Sequence, residues 1–307
     1  MRRSNMTMII IGAGLAGLMA GALDRRAHIF EKQSVVPHNH RAVLRFRDDK
    51  IARALDIPFR KVRVLKAVNR SLGPIADANA YSKKVTGRIA PRSVMALDPV
   101  DRFIAPEDFI PRLVELVESR LTLSTELDGE WLFDTKQHPI LSTIPLPVML
   151  RMAHIAHSRE DFTFSSVRVF KFRVPNCDSF QTIYYPYADN LFYRASLTGN
   201  ELLLESMDNN LSESAFNTSI ERVLTDFQIE DAQPIAVDTQ ALGKIVPLPD
   251  AQRKALLMQL TVEHKVFSLG RYACWRNILL DDVFEDYYRV KKLMAMDNHY
   301  DFKRALT

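Results

Sequence analysis

The chain has 307 residues, 47% of them hydrophobic and 25% charged, with a net charge of +4. That composition excludes a disordered or fibrous chain and predicts one large or two interleaved domains with a sizeable core. No apolar run approaches the roughly 18 residues of a membrane span, and Cys177 and Cys274 lie too far apart for a CxxC pair, so a disulfide framework and a zinc site are not indicated and a reducing, cytoplasmic setting is expected.

The basic start, Met1-Arg2-Arg3, leads into Met8-Ile9-Ile10-Ile11, which imitates a secretory leader until Gly12-Ala13-Gly14-Leu15-Ala16-Gly17 interrupts it. Strand, glycine turn and helix then read as a dinucleotide cradle. Gly12 permits the tight turn, Gly14 lets the backbone approach a pyrophosphate, and Gly17 lets the helix pack on the sheet. The helix over 14–24 is short, and the next apolar run, His28-Ile29-Phe30, ends at Glu31, which can accept ribose hydroxyls.

Residues 41–46 read as a strand, 50–55 as a helix stopped before Pro58, and 60–68 as a half-buried strand alternating charged with apolar residues. A helix opens around Pro106, with Leu113, Leu116 and Val117 spaced as one apolar stripe; a strand over 121–124, a buried strand over 139–147 and a helix over 147–157 follow. Residues 162–207 change character. Strict alternation at 166–173, then short runs at 182–185, 191–197 and 201–206 parted by turn residues, predict an antiparallel meander. A helix over 214–227, a return to the core at 243–250 and a helix over 251–264 capped by Asp250 complete this part. The expected architecture is α/β: a Rossmann-like domain over 1–60, 95–150 and 236–307, with an interleaved antiparallel β-sheet substrate domain over 61–94 and 151–235.

Charge is unevenly spread. Residues 41–92 hold fourteen Lys and Arg against four Asp, a local +10. Such a field suits either a polyanionic partner or a solvated face with a few cofactor contacts. His38 and His40 have the spacing of a metal pair but no matching carboxylates follow, so no metal is expected.

Val266-Phe267-Ser268-Leu269 is an apolar strand that delivers Gly270-Arg271, and Asp281-Asp282-Val283 starts the last helix. Through Gly12-x-Gly14-x-x-Gly17, Glu31 and Gly270-Arg271…Asp281-Asp282, the sequence resembles the flavoprotein family that contains UDP-galactopyranose mutase, protoporphyrinogen oxidase and flavin amine oxidases. The resemblance implies FAD, held by Gly12, Ala13, Gly14, Leu15, Ala16, Gly17, Glu31, Lys32, Arg41, Gly270 and Arg271, with Asp281 and Asp282 opening a helix whose amides stabilise negative charge on the reduced flavin. The chain departs from amine oxidases in lacking a Gly-Gly pair after Glu31; no glycine occurs between Gly21 and Gly73.

Finer stretches, His40-Arg41-Ala42-Val43-Leu44-Arg45-Phe46-Arg47, Ile57-Pro58-Phe59-Arg60, Ser142-Thr143-Ile144-Pro145, Tyr193-Arg194-Ala195-Ser196 and Gly270-Arg271-Tyr272-Ala273-Cys274-Trp275-Arg276, are similar to bacteriophage FAD-dependent oxidoreductases. Some phages attach amino acids to thymidine in their DNA and trim them with flavin-dependent lyases. That resemblance implies a substrate of DNA carrying modified thymidine, a setting in the host cytoplasm, and oxidation of a glycyl adduct to an imine that water cleaves into glyoxylate and 5-aminomethyluracil. A flavin amine oxidase or mutase on a free small molecule, and a non-catalytic flavin-bound DNA-binding protein, are the competing expectations. Three residues are expected near the reacting atoms. Lys244 would orient water, Arg194 would bind an anionic substrate group because Tyr193 and Arg194 point to opposite faces of a strand, and Trp275 would stack on the ligand.

Overall fold

The computed structural model describes residues 7–36, 44–89, 97–134, 138–207 and 212–295. In chain order the first elements are β1 (Ile9–Ile11), α1 (Leu15–Leu23), β2 (His28–Phe30), β3 (Arg45–Phe46), α2 (Lys50–Leu55), β4 (Arg60–Val68), α3 (Pro74–Thr86), β5 (Val100–Ile104) and α4 (Phe109–Val117). The middle holds β6 (Leu121–Thr122), α5 (Gly129–Asp134), β7 (Ile140–Ser142), α6 (Leu146–Met152), β8 (Phe164–Arg173), β9 (Ser179–Tyr184), β10 (Phe192–Gly199) and β11 (Glu201–Ser206). The chain closes with α7 (Glu213–Phe227), β12 (Gln233–Ile245), α8 (Asp250–His264), β13 (Val266–Ser268) and α9 (Leu280–Met294).

Five short strands form a parallel sheet in the order β13-β7-β1-β2-β6. Their near-continuous apolar character follows from burial on both faces. Leu18 and Met19 of α1, Leu113 and Val117 of α4 and Val283 and Tyr287 of α9 cover one side. Met149 and Leu150 of α6 and Leu260 of α8 share a core cluster with Ile9, Ile11 and Ile140 of the sheet, the other side. The sheet is thus the doubly wound layer that the first motif predicts.

A charged clasp ties the two ends of this layer together. Lys291 Nζ of α9 donates to Asp24 Oδ2 at the end of α1 over 2.6 Å. Burial works against the Asp24 charge, but the Lys291 bond and the Arg26 amide outweigh it and hold the carboxyl below its ordinary 3.8. The folded state therefore binds this proton more weakly than the unfolded chain, so the clasp stabilises fully above the unfolded value and loses its contribution as pH falls through the folded one. Asp24→Asn is expected to cost about 1 kcal/mol at neutral pH, and denaturant unfolding across an acid series should show that difference vanish at the acid end.

The second sheet has eight strands in the order β12-β8-β11-β10-β9-β4-β5-β3. All its pairings are antiparallel except β4 with β9. Phe216, Ile220 and Val223 of α7 cover one face, packing on Phe170, Phe192 and Leu204. On the other face Tyr81 and Val85 of α3 pack on Val167, Val169, Tyr193 and Leu203. The expected boundaries shift here. β3, β5 and all of β12 pair into this sheet, so the segments assigned to the dinucleotide domain at 95–150 and 236–307 each surrender their first strand.

Helix α3 was not expected within 61–94, although its punctuation is in the chain: Pro74 at the first turn and Gly87 in a left-handed conformation at the end. Its Lys84 Nζ reaches four backbone carbonyls, of Tyr185, Tyr187, Asn190 and Phe192, at 2.7–2.8 Å. One side chain thereby fixes the connection between β9 and β10.

Candidate functional site

Two glycine turns meet at the carboxyl ends of the parallel strands. At the first, Gly12 adopts φ +100°, and a Cβ there would lie 2.7 Å from Thr143 Oγ1. A Cβ on Gly17 would lie 1.9 Å from the Gly12 carbonyl oxygen, so α1 rests directly against the turn. Gly14 differs: a Cβ built on it meets nothing within 4 Å, and no side chain caps α1 at that position. The helix thus presents its first amides and the positive end of its dipole to open space.

At the second turn Gly270 adopts φ +97°, and a Cβ there would sit 2.9 Å from the Cβ of Ala16. The turn after β13 therefore lies on the first turn of α1. Thr143, at the end of β7 between them, donates its hydroxyl to the carbonyls of Ile11 and Gly12. Glu31 closes the near side: it is buried, Oε2 accepts from the Ala13 amide at 2.7 Å, and Oε1 accepts from the Gln33 amide at 2.9 Å. Ala13 and Leu15 are buried beneath the turn. Arg271 Nη2 donates to Asn277 Oδ1 at 3.2 Å, and its guanidinium lies 5.8 Å from the Tyr272 ring centre. Lys32 stands apart from the cradle, exposed and paired with Glu126 at 2.5 Å. Arg41, with His38 and His40, lies outside the described residues.

The first turn of α9 is held by its own acids. Asp282 Oδ2 accepts from the Leu279 amide at 2.7 Å, while Asp281 Oδ1 accepts from the Arg47 amide at 2.9 Å. Both carboxylates also pair with the Arg47 guanidinium. Burial raises the Asp281 carboxyl above its usual range, and its Oδ2 has no hydrogen-bond donor among the described residues. These acids anchor the chain leaving β3 rather than pointing freely into the crevice.

Two residues before Arg47, Arg45 of β3 reaches over its own sheet to β9 and β10. Its Nη1 donates to Thr182 Oγ1 at 2.9 Å and its Nη2 to the Leu197 carbonyl at 2.9 Å and to Thr198 Oγ1. Beside it, Tyr193 and Arg194 both converge on the buried carboxylate of Glu205, the phenol donating to Oε1 at 3.0 Å and the guanidinium to Oε2. The expectation of opposite faces fails because the register shifts between Phe192 and Arg194, a bulge that turns both side chains the same way. Arg194 is thus committed to Glu205. Burial opposes the Arg194 charge, but Glu205 more than offsets it. Burial and Glu205 raise the Tyr193 phenol well above its ordinary range, so it stays a proton donor.

Lys244, on β12 opposite Ser165, places its Nζ 4.7 Å from the Tyr193 ring centre. Two residues on, the Val246 carbonyl accepts from Trp275 Nε1 at 3.0 Å, so β12 links this sheet face to the second glycine turn. Trp275 does not stack on a ligand: it has no exposed surface, and its ring meets Phe162 edge-on at 5.2 Å. Arg276 is likewise spent, paired with Asp286.

Half of the basic block is paired within the molecule. Arg47, Lys50, Arg53, Arg60, Lys61, Arg63 and Arg70 pair with carboxylates, among them Asp101, Asp178, Asp189 and Glu285. Those pairs are exposed and contribute little stability, but they shorten the reach of the positive field. Among the described residues no group of three or more His, Cys, Asp or Glu could hold a metal ion, and no helix is long and apolar enough to cross a membrane. Thr143, Arg45 and Glu205 are the site residues that sequence reasoning missed; the nearest signal was a buried acid implied by charged residues inside an otherwise apolar meander.

By sequence the chain matches no protein-family model and no curated protein. By structure it is similar to reduced UDP-galactopyranose mutase, with a TM-score of 0.67 at 15% identity over 98% of this chain and 99% of that one. It is also similar to a fatty acid isomerase from P. acnes that produces CLA, with a TM-score of 0.56 at 12% identity over 94% and 98% of the two chains. A third likeness is to aklavinone-11 hydroxylase in complex with FAD and aklavinone, with a TM-score of 0.52 at 10% identity over 96% of this chain and 63% of that one. At these identities the likeness is one of fold: a Rossmann-like layer with an interleaved, largely antiparallel sheet.

Proposed function

We propose that the chain is an FAD-dependent oxidoreductase acting on an amine carried by a free small molecule. The observation that supports this reading is the contact of the two glycine turns, 2.9 Å from the Gly270 Cβ position to Ala16, beside the open space over Gly14. The residues present suit the dinucleotide. The amides of Gly14 to Gly17 and the α1 dipole would hold the pyrophosphate, Glu31 the ribose, and the Gly270-Arg271 turn with the α9 N-terminus the flavin end.

Bound FAD supplies a two-electron acceptor, which is the chemistry that amine oxidation requires. The chain's own residues bind, orient and shield. Tyr193 keeps its proton, Arg194 neutralises Glu205, and the Lys244 ammonium, 4.7 Å from the Tyr193 ring centre, would orient a water for cleavage of the substrate imine. Anaerobic mixing of the purified protein with N-methylglycine and other secondary amines should bleach the flavin absorbance. A fully loaded protein that no amine bleaches would favour a non-catalytic flavoprotein.

A second reading, oxidation of an aminoacyl adduct on thymidine in DNA, is favoured by the phage-like stretches and by the number of Lys and Arg between 41 and 92. The ion pairing of that block supports the small molecule instead. Duplex DNA is expected to show no mobility shift at about 50 mM salt; retention that disappears with added salt would reverse the order of the two readings.

A further inference from the structure

We propose that the outward face of α3, from Leu72 to Ile89, docks the protein on an anionic lipid surface, lying on the bilayer without crossing it. Among the described residues the three most exposed large hydrophobic side chains are Leu72 at 75%, Ile75 at 73% and Ile89 at 67%. Single exposed aliphatic residues are ordinary, but three on one helix and its two ends make an apolar patch. Helix geometry sets the face. Tyr81 and Val85 turn inward onto the sheet, which leaves Ile75, Asn79 and Lys83, spaced by four, on the outward side, and all three are exposed. At 1.5 Å per residue α3 is about 20 Å long, with Leu72 and Ile75 at one end and Arg88 and Ile89 at the other.

Both ends are held from beneath. Asp77, itself buried, accepts from the Leu72 amide at 3.0 Å, from the Ser71 hydroxyl and from the Tyr187 phenol at 2.6 Å, which fixes the turn that carries Leu72. The Arg88 carbonyl accepts from the Ser82 and Thr86 hydroxyls, both at 2.9 Å, which keeps Arg88 and Ile89 against the last turn. A fixed loop loses little entropy when its apolar side chains enter another phase. The charges select that phase. From Arg70 to Ile89 the only acid is Asp77, whose carboxylate is turned into the fold. Arg70 is paired with Asp189, but Lys83 and Arg88 are exposed and have no carboxylate partner among the described residues. Cations beside bare aliphatic chains, with no exposed acid between them, suit a bilayer of acidic lipids: the chains enter the acyl boundary and the cations meet the headgroups. A nucleic acid would set the same aliphatic chains against phosphates, and so fits this face less well.

The inference is independent of the proposed reaction. Sedimentation of the purified protein with vesicles of phosphatidylcholine containing phosphatidylserine, and with vesicles of phosphatidylcholine alone, tests it. Binding to the phosphatidylserine vesicles is expected. It should weaken by roughly 30-fold in Lys83→Gln with Arg88→Gln, at about fivefold per lost cation, and by more than about 10-fold in Leu72→Ser with Ile75→Ser. Val237→Ser, which changes an exposed apolar residue of β12, should leave it unchanged. Every substituted side chain is exposed, so the variants should melt with the parent. No vesicle binding, or equal weakening in Val237→Ser, would overturn the docking face; equal binding to both kinds of vesicle would overturn the anionic lipid. Self-association of the parent that Leu72→Ser with Ile75→Ser abolishes, without vesicle binding, would replace the lipid by a contact between protein chains.

Discussion

Gly14→Asp is expected to yield a protein that folds and melts like the original and is purified without flavin. Gly14 occupies the N-cap of α1 with φ −64° and ψ 173°, an extended conformation open to any residue. Nothing lies within 4 Å of its Cβ position, so the new side chain displaces no neighbour. Aspartate is a better N-cap than glycine by a few tenths of a kcal/mol, and its charge at the helix start adds about 0.3–1 kcal/mol. The same charge occupies the space left for a pyrophosphate. Two like charges about 4 Å apart near a surface repel by about 4 kcal/mol, enough to weaken a dinucleotide by more than about 100-fold. Thermal melting gives the first half of the result and the visible spectrum of the purified protein the second. Stoichiometric flavin in this variant would mean that the cofactor does not lie over Gly14.

Gly17→Ala should do the reverse and damage the fold itself. In a free helix the change gains about 1 kcal/mol. Here the added carbon would stand 1.9 Å from the carbonyl oxygen of Gly12 and 3.0 Å from its carbonyl carbon, backbone atoms that cannot rotate away. Helix α1 would have to lift from the β1 turn, separating Leu18 and Met19 from the core they share with α4 and α9. Overpacking against backbone costs about 3 kcal/mol, for which a melting temperature lower by roughly 5–10 °C is expected. Equal stability of Gly17→Ala and the parent would show that the turn and helix are less tightly apposed than this.

The contrast between two glycines three residues apart shows how much was legible in the chain. Local chemistry carried the parallel layer: apolar three-residue runs, glycines at fixed offsets and an acid after β2 are each set by neighbours in sequence. The meander was legible for the same reason, since alternation is a property of a single strand. What escaped depends on partners far along the chain. Arg60 with Asp178 and Lys50 with Glu285 are separated by more than a hundred residues, so the basic block looked like a bare field. A bulge defeated the reading of Tyr193 and Arg194, because one extra residue reverses the alternation on which it stood. Trp275 was expected to stack on a ligand from its place between the Gly270-Arg271 turn and the last helix; in the fold Val246, Phe162 and Phe164 enclose it. Much of β12, Gln233–Ile245, carried no strand expectation before Gly243, and its Ile235 and Val237 are exposed at the edge of the sheet.

Lys84 has a chemical equivalent outside proteins. A cation ringed by backbone carbonyl oxygens at 2.7–2.8 Å is how a desolvated potassium ion is held. Here the ion is an ammonium on a tether, its three N–H bonds shared among four acceptors. The β9–β10 connection therefore needs no exchangeable salt to keep its shape, and dialysis cannot strip it. Its weak point is covalent instead: acylation of this one amine would remove the charge and set all four carbonyls loose at once.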